Sequence, residues 1–398
     1  MKYVIVLGDG MSGLPLQELG GRTTLEAAHT PVMDELAGKG ELGLVQNVPE
    51  GMEPGSDVAN LSVLGCDPRQ CYTGRAPLEA LSLGLSMAPG EWALRCNLVT
   101  VSEGAPLEQA VLLDHSAGEI STEESHVLIR DLSRELPQLR LYAGTGYRHI
   151  CLWDEGQPSR LYPPHDHVGQ QIGGLLPEEE KLRQAMEVSY QILQEHPVNR
   201  KRAERGLGKA NALWFWGAGT KPELADFYRR TGKRGVMISA VDLLKGIAKG
   251  MGMEAPRIPG ADGTLHTNYE GKAQAALGAL LEQGADLAYV HLEAPDEMSH
   301  QGRVADKIRA IEALDDRIIA PIRAGLEQAG QPHRILILPD HANPVALRHH
   351  TSDPVPYLLY DSTRQRRGIG RYSESEARDA GNFLPQGWKM MDHLLERE

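Results

Sequence analysis

Short, wholly apolar runs alternate with longer amphipathic stretches along most of this chain. Residues 3–7 form an unbroken apolar run rich in β-branched side chains that stops at Gly8-Asp9-Gly10; this predicts a buried strand. Thr30-Pro31 then opens a helix through Val32, Leu36 and Ala37, ending at Gly38-Lys39-Gly40, with Thr as N-cap and Pro at the first helical position. The same alternation returns later. A run over 235–240 precedes a helix through Leu243, Leu244 and Ile247, a helix over 272–282 feeds a strand over 287–292, and a longer helix over 308–326 feeds a strand over 335–338. Residues 355–360 predict a last strand, placed at an edge by Pro356 because proline cannot donate to a ladder. Strands alternating with helices predict an α/β fold: a mostly parallel sheet with helices on both faces.

The pattern changes after about residue 92. Shorter alternating segments appear over 92–101, then a helix with Leu128, Ile129 and Leu132, the loop Pro163-Pro164-His165-Asp166-His167, and a charged amphipathic helix over 178–195. Residues 92–203 thus read as an inserted α+β domain, and residues 1–91 and 204–398 as one discontinuous domain. The apolar run Asn211-Ala212-Leu213-Trp214-Phe215-Trp216 marks the return to the earlier style.

Charge narrows the partners. A net charge of −13 over 398 residues disfavours nucleic acid and anionic membranes. No stretch approaches the length of a membrane span, and the apolar N-terminal run is short and interrupted by Asp9, unlike a signal peptide. Four cysteines without a CxxC pair suit reduced thiols. A cytoplasmic protein is expected. If its substrate is an anion, metals or a few Arg and Lys must supply positive charge locally.

The candidate chemistry sits where predicted strands end. Pro339-Asp340-His341, with His350-Thr351 nine residues on, follows one apolar run, and Asp296 and His300 follow another. Asp and His are costly to gather at strand ends unless they bind something, and this donor set suits a metal. In an open α/β sheet the ligand crevice lies at the carboxyl ends of the strands. Gly8-Asp9-Gly10-Met11-Ser12-Gly13 is literally G-x-G-x-x-G, yet no clear helix follows to receive a pyrophosphate and Asp9 would repel one. Asp9 reads better as a metal ligand, with a turn cap as the bland alternative. Ser56, in Pro54-Gly55-Ser56-Asp57-Val58-Ala59-Asn60, is either a plain N-cap or a nucleophile at the positive end of a helix, activated by metal. Spacing alone leaves both open.

These segments, with Tyr72-Thr73-Gly74-Arg75-Ala76-Pro77, Arg95-Cys96-Asn97, Tyr147-Arg148-His149, Pro164-His165-Asp166, Trp214-Phe215-Trp216-Gly217 and Ser239-Ala240-Val241-Asp242-Leu243-Leu244-Lys245, resemble the cofactor-independent phosphoglycerate mutases. The likeness is to the archaeal-type branch within the alkaline phosphatase superfamily. It runs through the whole chain in order. The resemblance implies an alkaline phosphatase-like domain with an inserted substrate-binding domain, and two divalent ions with no requirement for 2,3-bisphosphoglycerate. Manganese is the expected metal, with magnesium, zinc or cobalt as alternatives. By motif match, Asp9, Ser56, Asp340 and His341 would hold one ion and Asp296, His300 and His350 the other. Ser56 would accept the phosphoryl group from 3-phosphoglycerate and return it to the 2-hydroxyl. Arg148 and His149, then His165, Asp166 and Arg75, are the candidates for holding the substrate, and Lys245 the candidate near the phosphate. Ser299, His266 and Cys66 depart from the family pattern without touching a ligand. They keep open a related phosphotransferase of the same branch acting on homoserine; a phosphatase without return transfer and a non-enzymatic metal-binding module are weaker alternatives.

Overall fold

The apolar runs become strands: in chain order Lys2–Gly8 (β1), Glu41–Val45 (β2), Trp92–Val101 (β3), Leu112–Asp114 (β4), Arg140–Tyr142 (β5), Arg148–Trp153 (β6), Ala212–Thr220 (β7), Gly235–Ile238 (β8), Leu287–Leu292 (β9), His333–Leu338 (β10), Val355–Asp361 (β11) and Phe383–Leu384 (β12). The computed structural model describes residues 1–364, 368 and 370–397. The chain divides into two units, Met1–Tyr72 with Glu223–Glu398, and Thr73–Pro222.

In the first unit one sheet runs in the order β12-β2-β11-β10-β1-β9-β8. The four strands β8, β9, β1 and β10 are parallel neighbours. Their alternate residues Val4, Val6, Ala288, Val290, Ile335 and Ile337 pack into one core with the helices Pro31–Ala37, Tyr269–Leu281 and Val304–Leu314. Residues of opposite parity point to the other face, where Tyr289 donates to Asn60 Oδ1 of the helix Ser56–Val63 at 2.5 Å. The expectation of a mostly parallel sheet holds in part: the sheet is mixed, because β11 runs antiparallel to both β10 and β2. Residues 339–354 return the chain through a loop rather than a crossover helix, so the next strand comes back reversed. The expected edge position of β11 is corrected. Its pairing with β10 stops at Leu358, so Pro356 lies outside that ladder and is paired with Leu44 of β2. The long helix expected over 308–326 is Val304–Leu314 and Ala320–Gln328, joined by a π-helical turn at Asp315–Ile319.

The second unit is an antiparallel sheet in the order β4-β3-β6-β5, with β7 also paired to β3. The helices Thr122–Glu135 and Glu180–Gln194 bury Leu128, Leu132, Leu182 and Met186 with Leu94, Cys96 and Leu98 on one face. The helix Arg75–Ser82 buries Ala76 and Ala80 against Ala93, Ile150 and Leu152 on the other. Residues 92–203 lie within this unit, and so do residues 73–91 and 204–222. The decisive contact is β7, which pairs along β3 from Val99↔Ala212 to Trp92↔Thr220. An apolar run reads alike in either sheet; only its pairing assigns it. No helix among the described residues is long and apolar enough to cross a membrane.

Candidate metal centre

Parallel strands bring their carboxyl ends to one edge, and the candidate ligands follow from that. Asp9 comes directly after β1 and Asp340 two residues after β10, while Asp296 and His300 lie in the short helix Ala294–His300 after β9. Ser56 opens its own helix: Gly55 is the N-cap, Ser56 is the first helical residue, and no side-chain capping bond is made. The plain N-cap reading therefore fails, and the hydroxyl is left for other contacts. Ser56 Oγ lies 3.2 Å from Nε2 of His341. That Nε2 is 3.5 Å from Asp9 Oδ1 and 3.3 Å from Asp340 Oδ2. Donors around a common cation stand about 3 Å apart when each is about 2 Å from the ion.

A second group forms around Asp296, whose Oδ2 is 3.1 Å from His300 Nε2 and whose Oδ1 is 3.3 Å from His350 Nε2. The two imidazole Nε2 atoms are only 2.9 Å apart. His300 Nδ1 faces the carbonyl of Arg348 at 3.0 Å and His350 Nδ1 that of Pro54 at 3.3 Å. A carbonyl only accepts, so each Nδ1 carries the proton and a neutral ring turns its Nε2 lone pair inward. Two lone pairs and a carboxylate converging on one point suit a cation. The atoms offered by Asp296, His300 and His350 lie within 4.8 Å of one another, as do those of Asp9, Asp296 and His341.

The electrostatics agree. Burial, then the neighbouring Asp340, Asp296 and Glu293, push the Asp9 carboxyl well above the ordinary carboxylate range. Its Oδ1 is buried with no hydrogen-bond partner. With no ion present, bonding to Asp296 pushes His300 up to about 9, so a cation bound there would take the place of its Nε2 proton, while burial holds His341 below its usual value. Crowded buried carboxylates are costly without positive charge to neutralise them, and a divalent cation supplies it. The residues present fit two such ions.

The glycine-rich loop serves these ligands. Gly10 N donates to Asp340 Oδ1 at 3.1 Å, and Ser12 bridges to Ala342 rather than opening a helix, which removes the dinucleotide reading. Gly10 has φ +57°, and a Cβ there would stand 2.4 Å from Asp296 Oδ1. Gly10→Ala should therefore cost about 1–2 kcal/mol for the left-handed backbone and displace Asp296. Denaturant unfolding and manganese titration would check the two effects; unchanged metal affinity would refute the close-approach argument.

Lys245 stands apart from the seven ligand candidates in its polar contacts: it lies on the helix Asp242–Gly250 and pairs with Asp242 at 3.2 Å. In the second unit a cationic cluster forms on the face of β3 and β6 that carries Arg95, Asn97 and Arg148. Glu79 is shared by Arg95 Nε at 3.0 Å and Arg75 Nε at 3.4 Å. Arg95 is buried with its guanidinium 4.1 Å from the Trp216 ring, and burial pulls it down to about 10. His165 packs 5.2 Å from Trp216 and lies 3.6 Å from the exposed Asp166. Burial is the main cause of its depressed pKa, aided by His115, Arg95 and Arg75.

His149 does not join this cluster. It pairs with Cys96, on the opposite face from Arg148, because successive strand residues alternate. Its Nδ1 accepts from Gly144 N at 3.1 Å, and burial drives it down to about 3. It is neutral at pH 7 and supplies no charge to a carboxylate, contrary to the expectation for Arg148 and His149 together. A depressed folded pKa means that stability is present above the unfolded value of about 6.5 and is lost as pH falls from there towards about 3. Urea unfolding should lose up to about 1.4 kcal/mol per pH unit between pH 6 and 4 through this group, and His149→Asn should flatten that limb.

Sequence reading missed His291, Asn60, Asn343 and Arg95. Asn60 donates to Asp340 Oδ2 at 3.1 Å and Asn343 to Asp296 Oδ1 at 2.7 Å. The available signal was a polar residue inside an apolar stretch, as with His291 in β9.

Comparison with known proteins decides the family. The family model for 2,3-bisphosphoglycerate-independent phosphoglycerate mutase matches residues 37–199. A probable 2,3-bisphosphoglycerate-independent phosphoglycerate mutase of Geobacter sulfurreducens is 45% identical over 405 residues, covering 100% of both chains. The chain belongs to the 2,3-bisphosphoglycerate-independent phosphoglycerate mutases. The Methanosarcina mazei member is also 45% identical, over 404 residues and 100% of both chains. The solved PH0037 protein of Pyrococcus horikoshii superposes with a TM-score of 0.81 at 28% identity, covering 100% of this chain and 98% of that one. Membership makes the protein an isomerase, and the homoserine-directed alternative is not favoured.

Proposed function

We propose that this mutase interconverts 3-phosphoglycerate and 2-phosphoglycerate by two phosphoryl transfers through Ser56, with two divalent ions. Asp9, Ser56, Asp340 and His341 would hold one ion and Asp296, His300 and His350 the other. The observation that carries the reading is the Ser56 hydroxyl, 3.2 Å from His341 Nε2 beside two groups of ligands. Bound divalent ions supply charge to the phosphoryl oxygens and favour the Ser56 alkoxide. The hard and borderline O and N donors suit manganese first, then magnesium, zinc or cobalt. The parallel core with ligands at its carboxyl edge supports an alkaline phosphatase-like arrangement.

In the first transfer Ser56 Oγ bonds to phosphorus, the bond from phosphorus to the C3 oxygen breaks, and the serine proton ends on that oxygen. In the second the 2-hydroxyl bonds to phosphorus, the Oγ–phosphorus bond breaks, and the hydroxyl proton returns to serine. The helix Ser56–Val63 aims its positive end at the transferring group. Between the two steps the glycerate must stay bound. We assign substrate binding to Arg148, Arg75 and Arg95, with His165 and Asp166 at the margin, and to Lys245. The two units thus act as a catalytic and a substrate-binding domain. A phosphoglycerate substrate belongs to cytoplasmic metabolism, which supports the setting expected from the sequence.

The test uses purified protein with manganese and 3-phosphoglycerate, without 2,3-bisphosphoglycerate, and follows 2-phosphoglycerate through enolase. Steady formation of 2-phosphoglycerate is expected. Release of inorganic phosphate alone, or phosphorylation of homoserine from a donor with no isomerisation, would overturn the proposal.

A further inference from the structure

His291 is a buried histidine that the proposed transfers do not use. It lies in β9, is fully buried, and its two ring nitrogens have different partners. Nε2 is 3.0 Å from Asp9 Oδ2 and Nδ1 is 3.2 Å from Ser239 Oγ. Ser239, the first residue after β8, already accepts from Val241 N at 3.0 Å, so its remaining proton is free to donate to Nδ1. Asp9 acting as a ligand is ionised and only accepts, so Nε2 carries the proton and donates to Asp9, and in the neutral ring Nδ1 accepts from the Ser239 hydroxyl. The backbone is also held: Lys272 Nζ donates to the His291 carbonyl at 2.9 Å.

The consequence falls on Asp9. With Oδ2 tied to His291, Oδ1 is the oxygen left over, and it is the one buried without a partner and 3.5 Å from His341 Nε2. We infer that Ser239 and His291 form a positioning relay that holds Asp9 as a one-oxygen ligand through Oδ1. Ligating carboxylates depend on such outer partners for orientation and charge, and removing one costs about 10–100-fold in metal affinity. The relay joins three parallel strand ends, β8, β9 and β1, so neighbouring elements set the carboxylate plane instead of a flexible loop. The inference rests on the metal reading above.

The experiment titrates manganese into metal-stripped full-length protein by calorimetry, for wild type, His291→Leu, His291→Gln and Ser239→Ala. Wild type should show two binding events. His291→Leu should lose about 10–100-fold in one event and keep the other, which reports Asp296, His300 and His350. His291→Gln, whose amide nitrogen reaches close to the position of Nε2, should recover part of that loss. Ser239→Ala, which touches neither Asp9 nor a metal, should weaken the same event by a smaller factor. Thermal unfolding of the stripped proteins separates these effects from a failure to fold. If wild type takes up no manganese, the metal reading falls and the relay with it. If wild type binds two ions and the variants match it, or if Gln and Leu lose equally, the metal reading stands and the relay is wrong.

Discussion

Ser56→Ala is expected to remove isomerase turnover by about four orders of magnitude or more while the protein stays folded. Ser56 is not the cap residue of its helix, so its loss costs little in stability, within about 0.5 kcal/mol as for substitutions outside special contacts. Its hydroxyl lies 3.2 Å from His341 Nε2. Alanine leaves Asp9, Asp340 and His341 in place, so one ion loses a single oxygen ligand and binds more weakly without being lost. Chemistry suffers far more, because both transfers pass through the bond from Oγ to phosphorus. Acid-quenched wild type incubated with labelled phosphoglycerate should carry label on Ser56, and the variant none. Turnover within tenfold of wild type would rule out the serine route.

Much of the arrangement of this candidate site is legible in the amino-acid sequence. Asp9, Asp296, Asp340 and His341 stand just past apolar runs, and the physics that makes such runs into parallel strands puts their ends at one edge. Ser56 is ambiguous in sequence because helix N-caps and N-terminal nucleophiles share residue types; the finding that Gly55 takes the cap removes the first reading. Strand direction was less legible. The composition of β11 does not record that its preceding loop carries ligands in place of a crossover helix. Two errors came from treating neighbours in sequence as neighbours in space. Arg148 and His149 fall on opposite faces of β6, and β7 belongs with β3 although its apolar run resembles those of the first sheet. The supporting histidine was visible as a polar interruption in β9, but its partners, Ser239 and Asp9, are 52 and 282 residues away. No local pattern reports a contact of that range.

Asp296→Asn should be nearly as damaging as loss of the serine, by a different route that metal titration exposes. The substitution preserves shape and removes one negative charge. Asp296 is the point on which His300 at 3.1 Å and His350 at 3.3 Å converge, and it also belongs to the group with Asp9 and His341. Without its charge two neutral imidazoles and an amide remain, a poor match for a divalent ion of the manganese type. Outer partners alone are worth about 10–100-fold in affinity, so a ligating carboxylate should be worth at least about a hundredfold. Linkage turns this into a stability readout. At a metal concentration about 1,000 times the wild-type Kd, one site stabilises the fold by about 4 kcal/mol; a hundredfold weaker site at the same concentration gives about 1.4 kcal/mol. The manganese-induced rise in Tm should therefore shrink to roughly a third for that site, and turnover should fall with it. Chelation should bring wild-type turnover to the baseline, and manganese should restore it in wild type and not in Asp296→Asn. A variant with the full wild-type rise in Tm would place the second ion on other ligands.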